Sequence, residues 1–347
     1  MAVYTEVSTW AALKNAIDEG GDYDEYVVVT GPITANSTTT TVASPRNPDR
    51  TITLSSKGGP HTVELTVNGS LFTINANTEL ILKNITLQGR TGNNAPLVRV
   101  NTNGKLVLHS GGKITGNTTT GNGGGVYVSG IFTMSGGIIS GNTANGTVTD
   151  AGGGGVFIDN GGIFNMSSGS IIGNTAASNG GGVIIGVGGN FNMNGGTIGS
   201  NNEASMHGGG VVVDGIFTMR GNAIIHGNNS TLNGGGVYVN IGTFIMEGGI
   251  ISGNTTVSNG GGVYISNYGT FYIVAVTIYG SVTSTPKPPS GYENTAPSSG
   301  TGPALFINTG GGSAQRGTFT GSGGSWVFKG SLSNTDTTIR MVNRELQ

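Results

Sequence analysis

Apolar and polar residues alternate in short runs along most of the chain, and these runs recur with a long period. The string GGGV, or a close relative, returns at intervals of 30, 27, 28, 26 and 26 residues. Each unit holds three segments in which every second residue is apolar, separated by Gly, Asn and Ser. Alternation with a period of two predicts β-strands and not helices. The valines that mark the repeat are Val126, Val156, Val183, Val211, Val237 and Val263.

When the units are aligned, large apolar residues fall into columns. Residues i and i+2 of a strand share a face, so these columns are predicted to point inward and the variable positions between them outward. The second and third segments supply the Phe column Phe132, Phe164, Phe191, Phe217, Phe244 and Phe271, the column Met134, Met166, Met193, Met219, Met246 and Ile273, and the column Ile114, Ile139, Ile171, Ile198, Ile225, Ile251 and Ile278.

A single unit of this kind cannot bury its own apolar face, but a stack of units can. Parallel pairing would place successive units about 4.8 Å apart. We therefore predict an all-β fold, a single-stranded right-handed parallel β-helix with three parallel sheets. Its rungs are expected over residues 51–280, with two weaker units at 71–117 preceding the clear ones.

The residues between the strands also fall into register. The GGG runs are expected at corners that need a positive φ or a close approach of two backbones. An Asn follows the third segment of each unit, and stacked Asn side chains can hydrogen-bond from rung to rung as a ladder. The predicted ladder is Asn117, Asn142, Asn174, Asn201, Asn228 and Asn254.

The two ends differ from the shaft and are expected to close the stack. We assign residues 1–50 to an N-terminal cap that holds a helix at 8–18, with Ser8 as N-cap, and then a strand from Glu25 to Ile33. Gly20–Gly21 is expected to stop the helix. Residues 281–347 are expected to hold an excursion loop, a last rung at Leu305–Ile307 and a C-terminal closure containing Trp326.

The amino-acid composition restricts the classes of partner that are expected for this chain. The chain has 347 residues, of which 67 are Gly and 9% are charged, with a net charge of −2. There is no basic stripe, so a nucleic-acid partner is not expected. There is no Cys, which excludes disulfides and thiolate chemistry. No apolar run reaches the length of a membrane span and no signal peptide follows Met1, so membrane insertion by this segment is not expected.

The columns resemble a known group. The helix-then-strand opening, the phrase LILKNITL at 80–87 and the unit GGGVYV–GIFTM–GGIISGNT at 123–143 are similar to the pectin-lyase-like right-handed β-helix superfamily. Within it they resemble repetitive bacterial cell-surface proteins, including polymorphic outer-membrane proteins and adhesins. The resemblance covers most of the chain and implies an extracellular or cell-surface location. Because that superfamily holds both enzymes and adhesins, it does not settle activity.

The enzymes of this superfamily provide motifs to look for. Its lyases hold Ca²⁺ on clustered Asp residues, whereas Asp159 and Asp214 are expected two rungs, or about 10 Å, apart. Its hydrolases carry NTD, HG, RIK and paired-Asp phrases. Only Asn334–Asp336 and the pairs His207–Gly208 and His226–Gly227 match. We therefore expect no catalytic site, no metal and no cofactor.

One outward column is apolar. It consists of Arg99, Tyr127, Phe157, Ile184, Val212, Tyr238, Tyr264 and Phe306. We take Tyr127, Phe157, Tyr238 and Tyr264 as a candidate contact surface for a glycan, a host or neighbour-cell surface protein, or a second copy of the chain. The alternative is that loops cover this column, or that the rings stack across rungs only to stabilise the sheet.

Three functions remain open at this point. The first is a non-enzymatic surface or secreted β-helix that acts as adhesin, spacer or passenger domain. The second is a polysaccharide-active enzyme, or a degenerate one that only binds glycan. The third is a self-assembling or ice-binding solenoid, which would need a flat and regular Thr face. The outward residues Thr133, Asn165, Asn192, Thr218, Ile245 and Tyr272 are too irregular to form such a face.

Overall fold

The chain folds into a right-handed parallel β-solenoid of about nine turns with one short helix, which confirms the predicted fold class. A computed structural model describes residues 3–18, 24–37, 40–42, 50–147, 151–273, 277–278 and 294, and the strands 305–307, 318–320, 326–329, 339–342 and 345–346. Among the described residues, the pairings between successive rungs of the stack are parallel, as in the pairing of Val126 with Val156. The register shifts between Met134 and Ile138, where strand Ile131–Ser140 pairs with Ile163–Ile172.

The Val-rich segment that follows each glycine run forms the first ladder. The ten strands described for this ladder are each three residues long. In the eight from Phe72–Ile74 to Val263–Ile265, the middle residues lie outside the core cluster. The strands are Thr40–Val42, Phe72–Ile74, Val98–Val100, Val126–Val128, Val156–Ile158, Val183–Ile185, Val211–Val213, Val237–Val239, Val263–Ile265 and Leu305–Ile307.

The second and third segments form the second and third ladders. They merge into one sheet because two long strands, Ile131–Ser140 and Ile163–Ile172, run through the corner and belong to both. The other strands of the second ladder are Val3–Val7, Glu25–Val29, Arg50–Ser56, Thr78–Lys83, Lys105–Leu108, Asn190–Met193, Ile216–Met219, Thr243–Met246 and Thr270–Ile273. The other strands of the third ladder are Ile33–Ala35, His61–Leu65, Ile85–Gln88, Lys113–Thr115, Thr197–Gly199, Ile224–His226, Ile250–Ser252 and Thr277–Ile278.

A fourth ladder of two-residue strands was not predicted. It follows the Asn position of each rung and turns the chain back toward the next glycine run, with its second residue buried, as at Ala144 and Ala176. A two-residue strand is too short to show a period, so the sequence pattern contained no signal for it. Its strands are Thr118–Thr119, Thr143–Ala144, Thr175–Ala176, Glu203–Ala204, Asn229–Ser230 and Thr255–Thr256.

The core consists of the predicted inward columns. Phe164 and Phe191 stack face to face with ring centroids 4.6 Å apart, and Phe191 stacks in turn on Phe217 at 5.0 Å. Both Phe191 and Ile198 are completely buried, as the strand alternation predicts. Ring stacking therefore repeats the spacing of the backbone ladder and fills the interior one ring per rung.

The glycine runs have the two properties expected of them. Gly153, the second of the four glycines at 152–155, has a φ of +68°, in the left-handed region that favours Gly. Gly154, the third, has no room for a side chain, because a Cβ there would lie 2.4 Å from the carbonyl oxygen of Thr175. The corner before the first ladder is thus fixed by backbone contact between neighbouring turns of the chain.

The asparagine ladder is confirmed, with one correction. Asn142 donates both its backbone N–H and its Nδ2 to Oδ1 of Asn174, at 3.0 and 3.1 Å. Asn174 does the same to Asn202, so the prediction of Asn201 in this column is wrong. Asn201 is exposed and takes a φ of +68°. The complete ladder is Asn93, Asn117, Asn142, Asn174, Asn202, Asn228, Asn254 and Asn294, all buried.

The predicted helix lies at the N-terminal end, at Trp10–Asp18, with Trp10, Leu13 and Ile17 buried against the stack. Its N-cap is Thr9 and not Ser8, since Oγ1 of Thr9 accepts the N–H of Ala12. Gly20–Gly21, the predicted stop, lies outside the described residues.

A buried arginine ties the helix to the second ladder. Nη1 of Arg50 donates to the carbonyl oxygen of Ile17 at 2.6 Å, and Nη2 contacts Oε2 of Glu25 at 2.6 Å. The carbonyl groups in the last turn of a helix lack intrahelical partners, so this guanidinium satisfies one of them.

The strand predicted from Glu25 to Ile33 is divided. It forms Glu25–Val29 in the second ladder and Ile33–Ala35 in the third, and Pro32 lies between them, where it has no N–H to donate to either ladder. The strand Val3–Val7 precedes the helix and pairs in parallel with Glu25–Val29. Parallel stacking thus begins within residues 1–50.

Antiparallel pairing replaces parallel pairing at the C-terminal end. Strand Trp326–Lys329 pairs antiparallel with Thr270–Ile273, and Ile339–Val342 pairs antiparallel with Thr277–Ile278. Each of these two strands also has a short antiparallel partner. Thr318–Thr320 pairs with Trp326–Lys329, and Glu345–Leu346 pairs with Ile339–Val342. Most of the predicted excursion loop lies outside the described residues.

Candidate contact surface on the first ladder

The outward column of the first ladder is assembled in register by strand pairing. Tyr127 pairs with Phe157, and Tyr238 pairs with Tyr264. Ile184 and Val212 stand between these two aromatic pairs. The strands therefore bring the four predicted site residues onto one face, as two separate pairs.

This face is less exposed than the alternation of residues suggests. Phe157 and Tyr264 are each only 7% exposed, and Ile184 and Val212 are buried, whereas Tyr127 and Tyr238 are half-buried. The four aromatic residues therefore do not form one continuous exposed face, because Ile184 and Val212 between them are buried against glycines of the turns before the first ladder. The contact role of the four aromatic residues stays a prediction.

The first aromatic pair carries charged neighbours. Tyr127 and Phe157 stack at 5.3 Å, and the guanidinium carbon of Arg99 lies 4.5 Å from the centroid of the Tyr127 ring. The hydroxyl of Tyr127 donates to Oδ2 of Asp159 at 2.8 Å. Burial, and then the bond to Asp159, raise the pKa of Tyr127 to about 12, so it stays protonated at neutral pH.

A polar column flanks the first ladder at the end of each strand. Asp159 accepts hydrogen bonds from Tyr127 and from the hydroxyl of Ser129, and Asp214 accepts one from Nδ2 of Asn240 at 2.8 Å. Asp159 and Asp214 lie two rungs apart, as expected. The column is Ser129, Asp159, Gly186, Asp214, Asn240 and Ser266.

The second aromatic pair borders a cleft of about 190 Å³. Three successive rungs contribute to it, and it lies between the polar column on one side and the turn before the first ladder on the other. Buried Ile184 and Val212 form its floor. Its lining residues are Asn179, Ile184, Met206, His207, Val212, Asp214, Tyr238 and Asn240.

His207 occupies an asparagine position on the wall of this cleft. In the rungs that follow, Oδ1 of Asn233 accepts the backbone N–H of Asn259; here Nδ1 of His207 accepts the N–H of Asn233, at 3.2 Å. Burial lowers the pKa of His207. The ring is therefore neutral at neutral pH, and since Nδ1 is the acceptor, the proton is on Nε2.

Tyr238 lies between two other rings. His207, from the preceding rung, stacks on it at 4.3 Å, and Tyr264, from the following rung, at 5.3 Å. Its two faces are covered, so it presents its ring edge and hydroxyl to the cleft. Burial raises the pKa of Tyr238 to about 12.

The fold does not bring together the residues that match the lyase and hydrolase motifs. His226 lies in a different column from His207 and contacts the hydroxyl of Ser252 through Nδ1. Glu247 forms an ion pair with Arg220. Within the part of the chain that the structure describes, no three His, Asp or Glu residues are grouped to hold a metal. The phrase Asn334–Asp336 lies outside the described residues.

Sequence reasoning missed the cleft. From the sequence, His207 was noted only as part of an HG pair and Asp214 only as one of two distant acids, and Met206, Asn179 and Asn240 were not identified. The available signal was the turn column of His207, because the equivalent residues on other rungs are Asn122, Asn179, Asn233 and Asn259. Asp214 gave no such signal, since its column has no usual residue.

Among the described residues, no helix has the length and apolar character needed to cross a membrane. No protein-family model, curated protein or solved structure matches the chain.

Proposed function

We propose that this protein is a non-enzymatic β-helix that works outside the cell or at its surface, as an adhesin, spacer or passenger domain. The observation that carries the proposal is the asparagine ladder, which crosses eight rungs without a break among them. Each step of the ladder is hydrogen-bonded in addition to the backbone ladders, because Oδ1 of the next Asn accepts Nδ2 of the preceding one or, at Asn117, its backbone N–H. Seven steps of about 4.8 Å make this a shaft of about 34 Å, suited to hold a contact surface at a fixed distance.

The arrangement of the carboxylates supports a non-enzymatic role. Polysaccharide hydrolysis uses two carboxylates with separate roles on either side of one bond. Here Asp159 is engaged by Tyr127, Asp214 by Asn240, and Glu247 by Arg220. These are contacts that fix side chains in a scaffold.

Two assays test the location and the lack of activity. Membrane-impermeant biotin or antibody labelling of intact source cells is expected to reach this chain, and labelling only after lysis would refute a surface role. The purified chain is expected to release no unsaturated or reducing ends from polygalacturonate, with or without Ca²⁺. Turnover that is lost in Asp159→Asn or Asp214→Asn would overturn the non-enzymatic assignment.

The contact surface has its own test. The combined variant Tyr127→Ser, Tyr238→Ser and Tyr264→Ser is compared with Tyr268→Ser, whose side chain is 72% exposed and lies outside the stripe. We expect the triple variant, once its fold is checked by circular dichroism, to lose cell binding or self-association. If both are unchanged, these rings only stabilise the sheet.

A further inference from the structure

The cleft beside Tyr238 combines polar groups of a particular kind. The carboxylate of Asp214 is part of its wall, and His207 is neutral because burial lowers its pKa. Tyr238 is protonated at neutral pH because burial, and then the charges of Tyr264 and Asp214, raise its pKa to about 12. The other polar groups of the wall are the carboxamides of Asn179 and Asn240. The cleft thus offers both donors and acceptors, with one negative charge and no positive one.

Its size and floor restrict the ligand further. A cleft of about 190 Å³ is smaller than the 300–1,000 Å³ or so typical of drug-sized ligands. Its walls come from three rungs, so the outer two are about 9.6 Å apart. The apolar floor of Ile184 and Val212 suits C–H groups, and the polar rim suits several hydroxyls.

We propose that this cleft binds one uncharged sugar ring, with C–H groups on the Ile184 and Val212 floor and hydroxyls bonded to the polar wall. Asp214 and Asn240, already held together at 2.8 Å, are placed to receive two neighbouring hydroxyls of one ring. Hydrogen bonds to a carboxylate are the stronger kind, so Asp214 is expected to contribute most of the affinity. The inference rests on the proposed contact function and identifies the partner as a neutral glycan.

The negative charge of the Asp214 carboxylate also disfavours other classes of ligand. An acidic sugar would place its carboxylate beside Asp214 in a site that offers no cation, at a cost in repulsion and desolvation. A metal ion is disfavoured at His207, because Nδ1 accepts the N–H of Asn233 and Nε2 holds the ring proton. An organic cation would be attracted by Asp214 but would leave the carboxamides without a matching group.

The test is saturation-transfer NMR followed by titration, with the full chain and four probes. Two are neutral, methyl β-D-galactopyranoside and methyl N-acetyl-β-D-glucosaminide. The other two are methyl galacturonoside, which is acidic, and methylammonium, which is a cation. We expect binding of at least one neutral glycoside with millimolar affinity and none of the acidic one. The proposal is overturned if neither neutral glycoside binds at concentrations up to about 20 mM, because a site of millimolar affinity would then be mostly occupied. Equal binding of the acidic probe, or Asp214-dependent binding of methylammonium alone, also overturns it.

The variants use residues that the same columns hold in other rungs, so the fold is expected to be kept. His207→Asn restores the column residue and removes the ring, and Asp214→Ser reproduces Ser129 and Ser266. Each variant is expected to raise the dissociation constant for the neutral glycoside by about tenfold or more. Asp159→Ser, in the same column but outside the cleft, is the matched control and should bind normally. Binding that survives both cleft variants would place the sugar elsewhere.

The result of the glycoside-binding test can be distinguished from the result of the cell-labelling test of the proposed function. A chain that labels at the cell surface but binds no glycoside removes only the sugar assignment. A chain that binds the glycoside but does not label on intact cells removes only the surface role.

Discussion

The backbone N–H of Asn233 donates to Nδ1 of His207 at 3.2 Å, where an Asn on another rung would offer Oδ1. An imidazole nitrogen thus replaces a carboxamide oxygen as the acceptor. It can do so only while Nδ1 is unprotonated, whereas the carboxamide accepts at any physiological pH. One rung of the stack therefore depends on proton concentration in a way that its neighbours do not.

The first prediction is a loss of stability on acidification that depends on His207. Burial lowers the folded-state pKa of His207 below its ordinary value of 6.5, so the unfolded chain binds more protons between the two pKa values. The stabilisation is complete above pH 6.5 and is lost as the pH falls through the folded-state pKa. Denaturant unfolding at pH 8 and pH 5 measures it.

His207→Asn is the control, since carboxylates also titrate toward pH 5. The difference in unfolding free energy between wild type and His207→Asn is expected to shrink or reverse from pH 8 to pH 5. A difference that does not change with pH would show that His207 has the same pKa in both states.

The second prediction concerns two adjacent asparagines. Asn202→Ala removes the acceptor of both donors of Asn174 and the donor to Asn228, so we expect a loss of at least about 2 kcal/mol in unfolding free energy. Asn201→Gly should be neutral or slightly stabilising, because Asn201 has a φ of +68°. Urea denaturation of both variants decides it, and equal losses would contradict the assignment of Asn202 to the ladder.

The third prediction tests the stacked core. Phe191→Ala should cost about 3–5 kcal/mol, because it leaves a cavity between two rings that are both stacked on Phe191. Val187→Ala, at an exposed position of the turn just before strand Asn190–Met193, should stay within about 0.5 kcal/mol. Thermal and chemical unfolding are the measurements, and a small effect at Phe191 would mean that the stack closes over the gap.

The fourth prediction concerns the N-terminal cap. Arg50→Met leaves the buried carboxylate of Glu25 without its 2.6 Å partner and should cost about 3–5 kcal/mol. Adding Glu25→Leu should restore part of that loss, because it removes the unpaired charge as well. Urea unfolding of the single and double variants tests the coupling. If the double variant is the less stable one, Glu25 has another stabilising contact.

The shaft could be predicted because its signal repeats. Inward columns such as Phe191 and Ile198 follow from strand alternation, and comparison of six units removes the ambiguity of any one. The choice between Asn201 and Asn202 was wrong for a local reason. In other rungs a left-handed Gly precedes the ladder Asn, as Gly173 precedes Asn174, and Asn201 takes that position on its rung. The Gly-Asn pairs were the signal that identifies it.

The surface was harder to predict, because alternation says which way a side chain points but not what covers it. Phe157 and Tyr264 point away from the core as predicted, yet the surroundings of their strands bury them. The cleft at His207 depends on turns of unequal length, whose packing has no period in the sequence. The half-buried state of Tyr127 and Tyr238 is visible only in the folded structure.

The asparagine ladder gives the shaft an electrical direction. From Asn142 to Asn294, Nδ2 of each side chain donates to Oδ1 of the next toward the C-terminus, as from Asn202 to Asn228 and from Asn228 to Asn254. Between Asn117 and Asn142 the donor is the backbone N–H of Asn117. The amide dipoles are therefore aligned head to tail, and each polarises the next. The two ends of the row are not equivalent, because Oδ1 of Asn93 accepts the N–H of Gly69 and Nδ2 of Asn294 donates to the carbonyl oxygen of Ile251. One end of the row thus presents a side-chain acceptor and the other a side-chain donor, so only an Asn in the same orientation could continue the row at either end.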